Sequence, residues 1–436
     1  MTRSVYTLLL RVFSPLVWLW MRMRAGKDSQ RWQILAPARF GRYAERAADT
    51  GRTGRIWVHA VSLGEVRAAH PLIRALLDMG YAVLLTHTTP TGWDEAARSY
   101  REQVDSGRLR QAWLPYDFPG SVRRFLAFFK PHCGILIERE VWPNLIHEAG
   151  RQGISMVLVS ARFSEASLRR SRWFRKGLKR TYAALDLVLA QTQSDADRLR
   201  AVGAFGPHVV GNMKFDVALS VPQLEQGRRW RAAYGKPVVA IASTREGEDQ
   251  MFVSAIELQR QAAPGDVLHM LIPRHPQRFS AAAAILEDHG LTYIRRSSHI
   301  DPPGAGITVL LGDTLGEMAF YYAAADVAIV AGGFAPMGGQ NLIEACRAGT
   351  PVIVGPHMHN FAQAVSDAVA AGAAIQVDNA QEALRQAYEL LCDAPRLAAM
   401  RAAALAWTAA HAGATSRIVE ALRPWLGSPA RTDHTL

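Results

Sequence analysis

Several acidic and basic residues fall where short apolar runs end. That is the position at which α/β proteins present their chemistry. The segment VHAVSLGEVRAAHPLIRALL reads as a strand, a tight Ser62-Leu63-Gly64-Glu65 turn and a helix. Glu65 then stands at a helix start beside a strand end, where a carboxylate can act as a general base. The helix dipole alone also favours an acid there. GILIEREVWPN places Glu138 and Glu140 directly after a buried strand, ahead of Trp142-Pro143-Asn144. Carboxylates in such a place are costly unless they find partners.

The second half of the chain offers glycines and arginines at strand ends. In VAIVAGGFAPMGGQNLIEACRAG a buried strand ends in Gly332-Gly333, a loop delivers Gly338-Gly339-Gln340-Asn341, and a helix begins. Glycines let backbone approach a ligand, and free N–H groups at a helix start bind phosphate. Glu344, one turn in, suits the two hydroxyls of a ribose. AIASTREGED supplies Arg245 beside Glu246 and Glu248, and LIPRHPQRF supplies Arg274 and His275 between Pro273 and Pro276. An arginine at a strand end suits phosphate or carboxylate, with a surface ion pair as the alternative. GDTLGEMAFYY is expected to run as a helix from Asp313-Thr314 through Gly316, Glu317 and Met318. Glycine in a first turn costs stability, which points to close approach of a guest such as a nucleotide base.

The elements that position these residues alternate. RIWVHAV (55–61), AVLLTHT (82–88), CGILIE (133–138), SMVLVSA (155–161) and LVLAQT (187–192) read as buried parallel strands separated by helical stretches. After 212 the pattern restarts with VVAIAS (238–243), VLHMLIP (267–273), TVLLGD (308–313), VAIVAGG (327–333) and PVIVGP (351–356). The fold class is α/β. Two Rossmann-like domains with parallel sheets facing a central cleft are the architecture of GT-B glycosyltransferases and their epimerase relatives. The expected layout is an anchor helix over 1–27, a first Rossmann-like domain over 28–212, a second over 213–405, and a late helix over 406–426 packing back on the first domain.

Length, charge and cysteines narrow the class. The 436 residues are 49% hydrophobic and 20% charged, which excludes disorder as the dominant state. Cys133, Cys346 and Cys392 are too widely spaced for a zinc module or a disulfide scaffold. Residues 1–212 hold 32 Lys/Arg against 17 Asp/Glu, whereas residues 213–436 hold 18 against 21. The basic half is expected to meet a polyanion. Residues 4–21, SVYTLLLRVFSPLVWLWM, are just short of the roughly 20 apolar residues a spanning helix needs. No small-residue cleavage site follows, so a signal peptide is disfavoured. A short spanning anchor and a helix lying in the interface, with Trp18 and Trp20 at headgroup depth, both fit. Arg22, Arg24 and Lys27 after the stretch put the rest on the cytoplasmic side. A second basic run, 168–182, carries Arg169, Arg170, Arg172, Arg175, Lys176, Lys179 and Arg180 with interleaved apolar residues. That pattern suits a membrane surface or a phosphate-bearing acceptor. No nucleic-acid-binding signature accompanies it.

Eight motifs together resemble one family. SLGE, E-x-E-x-W-P-N, VGNMKFD, STREGED, IPRHP, GDTLGEM, GG-x-N-x-x-E and GPHMHNF occur in the order found in Kdo transferases. These enzymes attach 3-deoxy-D-manno-octulosonic acid (Kdo) to lipid A precursor. The resemblance covers nearly the whole chain. It implies an inverting, metal-independent GT-B transferase with no cofactor, CMP-Kdo as co-substrate, lipid A precursor as acceptor, and a place on the cytoplasmic face of the inner membrane. It implies that the first domain binds the acceptor and the second the donor, that Glu65 is the general base and that Glu138 and Lys214 stabilise the transition state. It also implies that Pro273 and Arg274, Gly316, Glu317 and Met318, and Asn341, Leu342, Ile343 and Glu344 bind CMP. Arg245, His275, Gly338 and Gly339 are further candidate donor contacts.

The chain departs from the family pattern in three places. It has Glu138-Arg139-Glu140 where E-T-E is common, Gln340 where a histidine is common, and His359 where an aromatic such as Phe is common. Gln340 can hydrogen-bond but cannot become cationic. The rival enzyme reading is another GT-B transferase or epimerase using a UDP-sugar. The non-enzyme rival is a peripheral membrane protein that senses a nucleotide.

Overall fold

The structure, a computed structural model, describes residues 2–26, 29–44, 55–171, 175–259 and 261–427. The chain forms two compact units, Met1–Val217 with Ala412–Leu436, and Ala218–His411.

The first unit begins with α1, Arg3–Ala25, whose N-cap Thr2 accepts from Val5 N. Its sheet contains β1 (Arg55–His59), β2 (Ala82–His87), β3 (Leu109–Trp113), β4 (Cys133–Ile137), β5 (Ser155–Ala161), β6 (Leu187–Ala190) and β7 (His208–Val209), all parallel, in the order β3-β2-β1-β4-β5-β6-β7. Alternate residues of β1 enter opposite cores. Ile56 and Val58 pack on one face, and Trp57 packs on the other. Burial on both faces is why the central strands read as continuous apolar runs. Three helices follow strands at the functional edge: α2 (Leu63–Asp78) after β1, α3 (Pro143–Arg151) after β4, and α4 (Arg175–Tyr182) after β5. Pro143 opens α3 with no N–H to satisfy. Buried Asp117 takes the next two donors, Asn144 N at 3.0 Å and Leu145 N at 2.8 Å.

The second unit repeats the plan. β8 (Val238–Thr244), β9 (Leu268–Pro273), β10 (Tyr293–Arg295), β11 (Val309–Leu311), β12 (Val327–Val330), β13 (Val352–Val354) and β14 (Ala374–Gln376) form a parallel sheet in the order β10-β11-β9-β8-β12-β13-β14. Helix α5 (Glu248–Leu258) follows β8, α6 (Met318–Ala324) follows β11, and α7 (Ile343–Arg347) follows β12.

Several expectations need correction. The late helix is two helices, α8 (Ala394–His411) and α9 (Ala414–Leu426). Gly413 breaks them with a φ of +85°. Helix α9 belongs to the first unit, where Ile418, Leu422 and Leu426 join the core over β1 and α2. Residues 213–217 also lie in the first unit. Met213 and Phe215 are buried there, and Asp216 accepts from Gly413 N at 2.6 Å and Thr415 N at 2.5 Å. The helix expected from Asp313 starts only at Met318, because Gly316 sits in a turn with φ +83°. Glycine is needed there for the backbone angle. Trp18 does not face outward. It packs on Phe40, Tyr116 and Phe118 at 5.5–6.2 Å between ring centroids.

Candidate active site

In each sheet the strand order reverses beside the first strand, between β1 and β4 and between β8 and β12. Ligands of open α/β sheets sit beyond the strand ends at such points. Most of the carboxylates and glycines singled out in the sequence follow these four strands, while Gly316 and Glu317 follow β11.

In the first unit, Glu65 lies in the first turn of α2 and accepts from Val61 N at 2.7 Å. Across the switch point, Glu138 follows β4 with a φ of +58°. A non-glycine residue in the left-handed region costs about 1–3 kcal/mol and is held only by its surroundings. Glu138 N donates to Val159 O and Arg162 N donates to Glu138 O, both at 3.1 Å, fixing the bend. The bend aims a buried carboxylate at Lys214, whose Nζ donates to Glu138 Oε1 at 2.7 Å. Lys214 is itself positioned by a short helix, Met213–Asp216, capped by Asn212. Glu140 Oε2 accepts from Trp142 Nε1 at 2.9 Å.

The charges set three different proton affinities. Burial pushes the Glu65 carboxyl up to about 8; the Val61 N–H offsets this, Glu140 and Glu138 add to it, and Lys214 opposes it. Burial also acts on Glu138, but Lys214, with Arg162 and Arg139, holds it below the usual carboxylate range. Glu140 is raised by burial, against the Trp142 hydrogen bond and Arg139 and with the Glu138 charge. One carboxylate is therefore kept ionised beside a cation while its neighbour is tuned to exchange a proton near neutral pH. Acid–base chemistry needs such a division of proton affinities. If Glu65 is the base, kcat/KM for the acceptor should rise about tenfold per pH unit below about 8 and level off above it, as the group loses its proton. A pH–rate profile of the unliganded enzyme checks this; a profile flat from pH 6 to 9 contradicts it.

In the second unit, Arg245, Arg274 and His275 come together at the ends of β8 and β9. Arg274 N donates to Thr244 O at 3.0 Å. His275 is lowered by burial and then by the charges of Arg245, Arg274 and Arg278, which places three cations around it. Asn341 Oδ1 accepts from Ile343 N at 3.1 Å, and its Nδ2 donates to Glu344 Oε1 at 3.0 Å. Glu317 pairs with Arg296 at 3.1 Å and also takes the Thr314 hydroxyl. Gln223 Nε2 donates to Gly316 O at 2.8 Å. Gly338 and Gly339 have φ of +92° and +81°. A Cβ on them would strike Asn360 and Met358, so the GPHMHNF segment requires them bare.

Two features carried little signal in the sequence. Glu248 is fully buried, and its carboxylate accepts from Arg245 N, Gly332 N, Phe334 N and Ala335 N at 2.7–3.2 Å. It thereby ties the β8 turn to the glycine turn after β12. The adjacent Asp249 takes the Thr244 hydroxyl and Arg278, whose Nε lies at 3.0 Å. The only sequence clue was an acidic E-G-E-D at a strand end leading into an apolar helix. Glu248→Gln would turn an amide N–H₂ toward backbone donors, so if this edge holds CMP, as the family resemblance implies, CMP is expected to bind about tenfold more weakly, a loss of about 1.4 kcal/mol. Calorimetric titration with CMP reads this directly, and unchanged affinity refutes a positioning role. The second feature is Asn144, fully buried, which accepts from Arg3 Nη1 at 3.2 Å and Thr7 Oγ1 at 3.1 Å and donates to Asp117 O at 2.6 Å. It fastens α1 to the segment that carries Glu138.

The basic run is divided. Arg169 pairs with Glu165 at 3.7 Å on a preceding helix, and Lys176, Lys179 and Arg180 lie on α4. Arg172 and the side chains of Arg170 and Arg175 lie outside the described residues.

Two Rossmann-like units with charged residues at their switch points are the architecture that GT-B glycosyltransferases share with their epimerase relatives. A family model described as 3-deoxy-D-manno-octulosonic-acid transferase (kdotransferase) matches residues 36–217. The chain is 57% identical to a 3-deoxy-D-manno-octulosonic acid transferase of Bordetella pertussis, over 98% of this chain and 100% of that one. It is 30% identical to one of Haemophilus influenzae, over 98% and 99%. A crystal structure of UDP-GlcNAc 2-epimerase from Neisseria meningitidis shares the fold at 15% identity, with a TM-score of 0.57 over 85% of this chain and all of that one. The chain belongs to the Kdo transferase family.

Proposed function

We propose that the protein transfers Kdo from CMP-Kdo to a sugar hydroxyl of lipid A precursor in lipopolysaccharide biosynthesis, with inversion and without a metal. The observation that carries this reading is the Glu65, Glu138 and Lys214 cluster at the β1/β4 switch point. Ionised Glu65 takes the proton of the acceptor hydroxyl. The hydroxyl oxygen forms its bond to the anomeric carbon of Kdo from the face opposite CMP. The bond between that carbon and the phosphate oxygen breaks, and CMP departs with the electron pair. Glu138 and Lys214 form a fixed dipole beside the reacting carbon, which needs no reorganisation as charge shifts.

The donor rests on the second unit. Pro273 and Arg274, the Gly316–Met318 turn and Asn341–Glu344 form the CMP site, with Arg245 and His275 beside it. Arginines near departing CMP supply the positive charge that a metal would otherwise bring.

Membrane attachment rests on α1. Its outer stripe leaves Val5, Leu8, Val12, Phe13, Leu16 and Trp20 exposed, among others. Its inner stripe is held on the first unit from Arg3 to Trp18. A helix bound along its length to a water-soluble domain lies in the interface, with the apolar stripe in the bilayer and the domain on the cytoplasmic face.

The test compares donors. Purified protein in detergent is given tetraacylated lipid A precursor with either CMP-Kdo, prepared beforehand and freed of its synthesising enzyme and metal, or UDP-GlcNAc, each with and without EDTA. CMP release and lipid modification with CMP-Kdo alone, unchanged by EDTA, is the expected result. Turnover of the UDP-sugar would support the rival reading. Loss with EDTA and recovery with a divalent ion would overturn the metal-free mechanism.

A further inference from the structure

A groove of about 520 Å³ lies in the first unit among the start of α1, α3 and α4. Its volume falls in the range of ligand sites. Tyr6, Pro143, Ile146 and Leu178 give it a largely apolar lining, which suits hydrocarbon and offers little to a sugar. Lys176, Lys179 and Arg180 stand on the same groove, on a helix whose sequence contains no acid. Hydrocarbon walls under a cluster of cations match one kind of ligand, an acyl chain whose head carries phosphate.

Position selects the source of that chain. The groove wall at Pro143 continues directly into Trp142, whose Nε1 donates to Glu140, and on to Glu138. Glu140 and Glu138 both raise the proton affinity of Glu65, so this segment borders the proposed base. On the other side, Arg3 and Tyr6 of α1 line the groove while Val5, Leu8 and Leu9 of the same helix face outward. The groove therefore lies between the start of α1 and the chain segment that leads back through Trp142 to Glu140.

We propose that this groove binds one acyl chain of the acceptor, with Lys176, Lys179 and Arg180 on the phosphate at its head. The proposal rests on the transfer reading given above. It makes acceptor recognition bipartite, with hydrocarbon depth and phosphate charge read by adjacent surfaces.

The test uses full-length enzyme and two acceptors, the intact acylated lipid and its water-soluble deacylated backbone. Ala184 lines the groove and is exposed, so Ala184→Trp fills the groove from its rim. K179E/R180E reverses the charge at two of the three cations. Both variants are expected to raise KM for the acylated acceptor at least about tenfold, as excluding two methylene groups from apolar contact would. Their kcat and donor KM stay at wild-type values. On the deacylated backbone, Ala184→Trp and wild type should be indistinguishable.

An unchanged KM for the acylated acceptor in Ala184→Trp overturns the proposal. So does an equal rise on both acceptors in Ala184→Trp, which would mean a change in the fold. Reduced binding to phosphatidylglycerol vesicles with unchanged KM overturns it in favour of a membrane-lipid site. If wild type transfers nothing to either acceptor, the transfer reading fails. Native mass spectrometry with the acylated acceptor then decides the groove separately: retention by wild type but not by Ala184→Trp supports it, and equal retention overturns it.

Discussion

Glu65→Gln is expected to lower kcat for Kdo transfer by about 10²–10⁴-fold, the usual worth of a positioned general base. The amide keeps the shape of the side chain, and its oxygen can still accept the Val61 N–H that the carboxylate accepts at 2.7 Å. Folding and CMP affinity should therefore stay near wild type. The carboxyl is held up to about 8 mainly by burial, so replacing it with a neutral group removes no ion pair. Steady-state kinetics with thermal unfolding and CMP titration on the same preparation separates the two effects. A folded, CMP-binding variant with near wild-type kcat would remove Glu65 from the mechanism.

Lys214→Met is expected to reduce both activity and stability. Activity should fall about 10²–10³-fold, as when one preorganised electrostatic group is lost from an active site. Stability should fall by on the order of 3 kcal/mol, because Glu138 is left buried without its closest cation. Arg162 and Arg139 still lower Glu138 and limit that loss. Glu138→Gln combined with Lys214→Met removes the stranded charge, so stability should recover while activity does not. Denaturant unfolding of the single and double variants reads the first effect, and kcat reads the second. Recovery of activity in the double variant would show the pair to be structural.

Much of this arrangement was legible in the sequence, and the misses have physical causes. Five strands of each sheet were expected and seven are present. The four missed, β3, β7, β10 and β14, are the edges of the two sheets. An edge strand has one neighbour and is half covered, so its residues need not be uniformly apolar. β7 is two exposed residues, and β10 carries Tyr293 and Arg295. Central strands are covered on both faces and carry the pattern plainly. Glu65 and Glu138 were visible because they follow such strands. Their relation to Lys214 came from the family resemblance and not from local pattern, since 76 residues separate Glu138 from Lys214. Only the register of β4 and the burial of Met213 and Phe215 bring them together. Likewise the apolar run 4–21 announced a membrane-seeking helix but not which of its faces is taken. Trp18 and Trp20 look alike in sequence, yet Trp18 packs on Phe40 and Tyr116 while Trp20 is exposed.

The same reasoning explains Glu248. In sequence it is one of several acids near Arg245, with every appearance of a surface ion pair. In the fold it has no exposure and four backbone donors, because β12 lies next to β8 and brings Gly332, Phe334 and Ala335 to it. A carboxylate satisfied by amides alone is a brace for backbone, not a surface charge.

The most direct test of the account is the mass of the lipid product. Wild type and Glu65→Gln are incubated side by side with tetraacylated lipid A precursor and CMP-Kdo. The account predicts a lipid heavier by whole Kdo units with wild type and unmodified lipid with the variant. Equal product from both, or no mass shift from a folded wild-type enzyme that binds CMP, would contradict it.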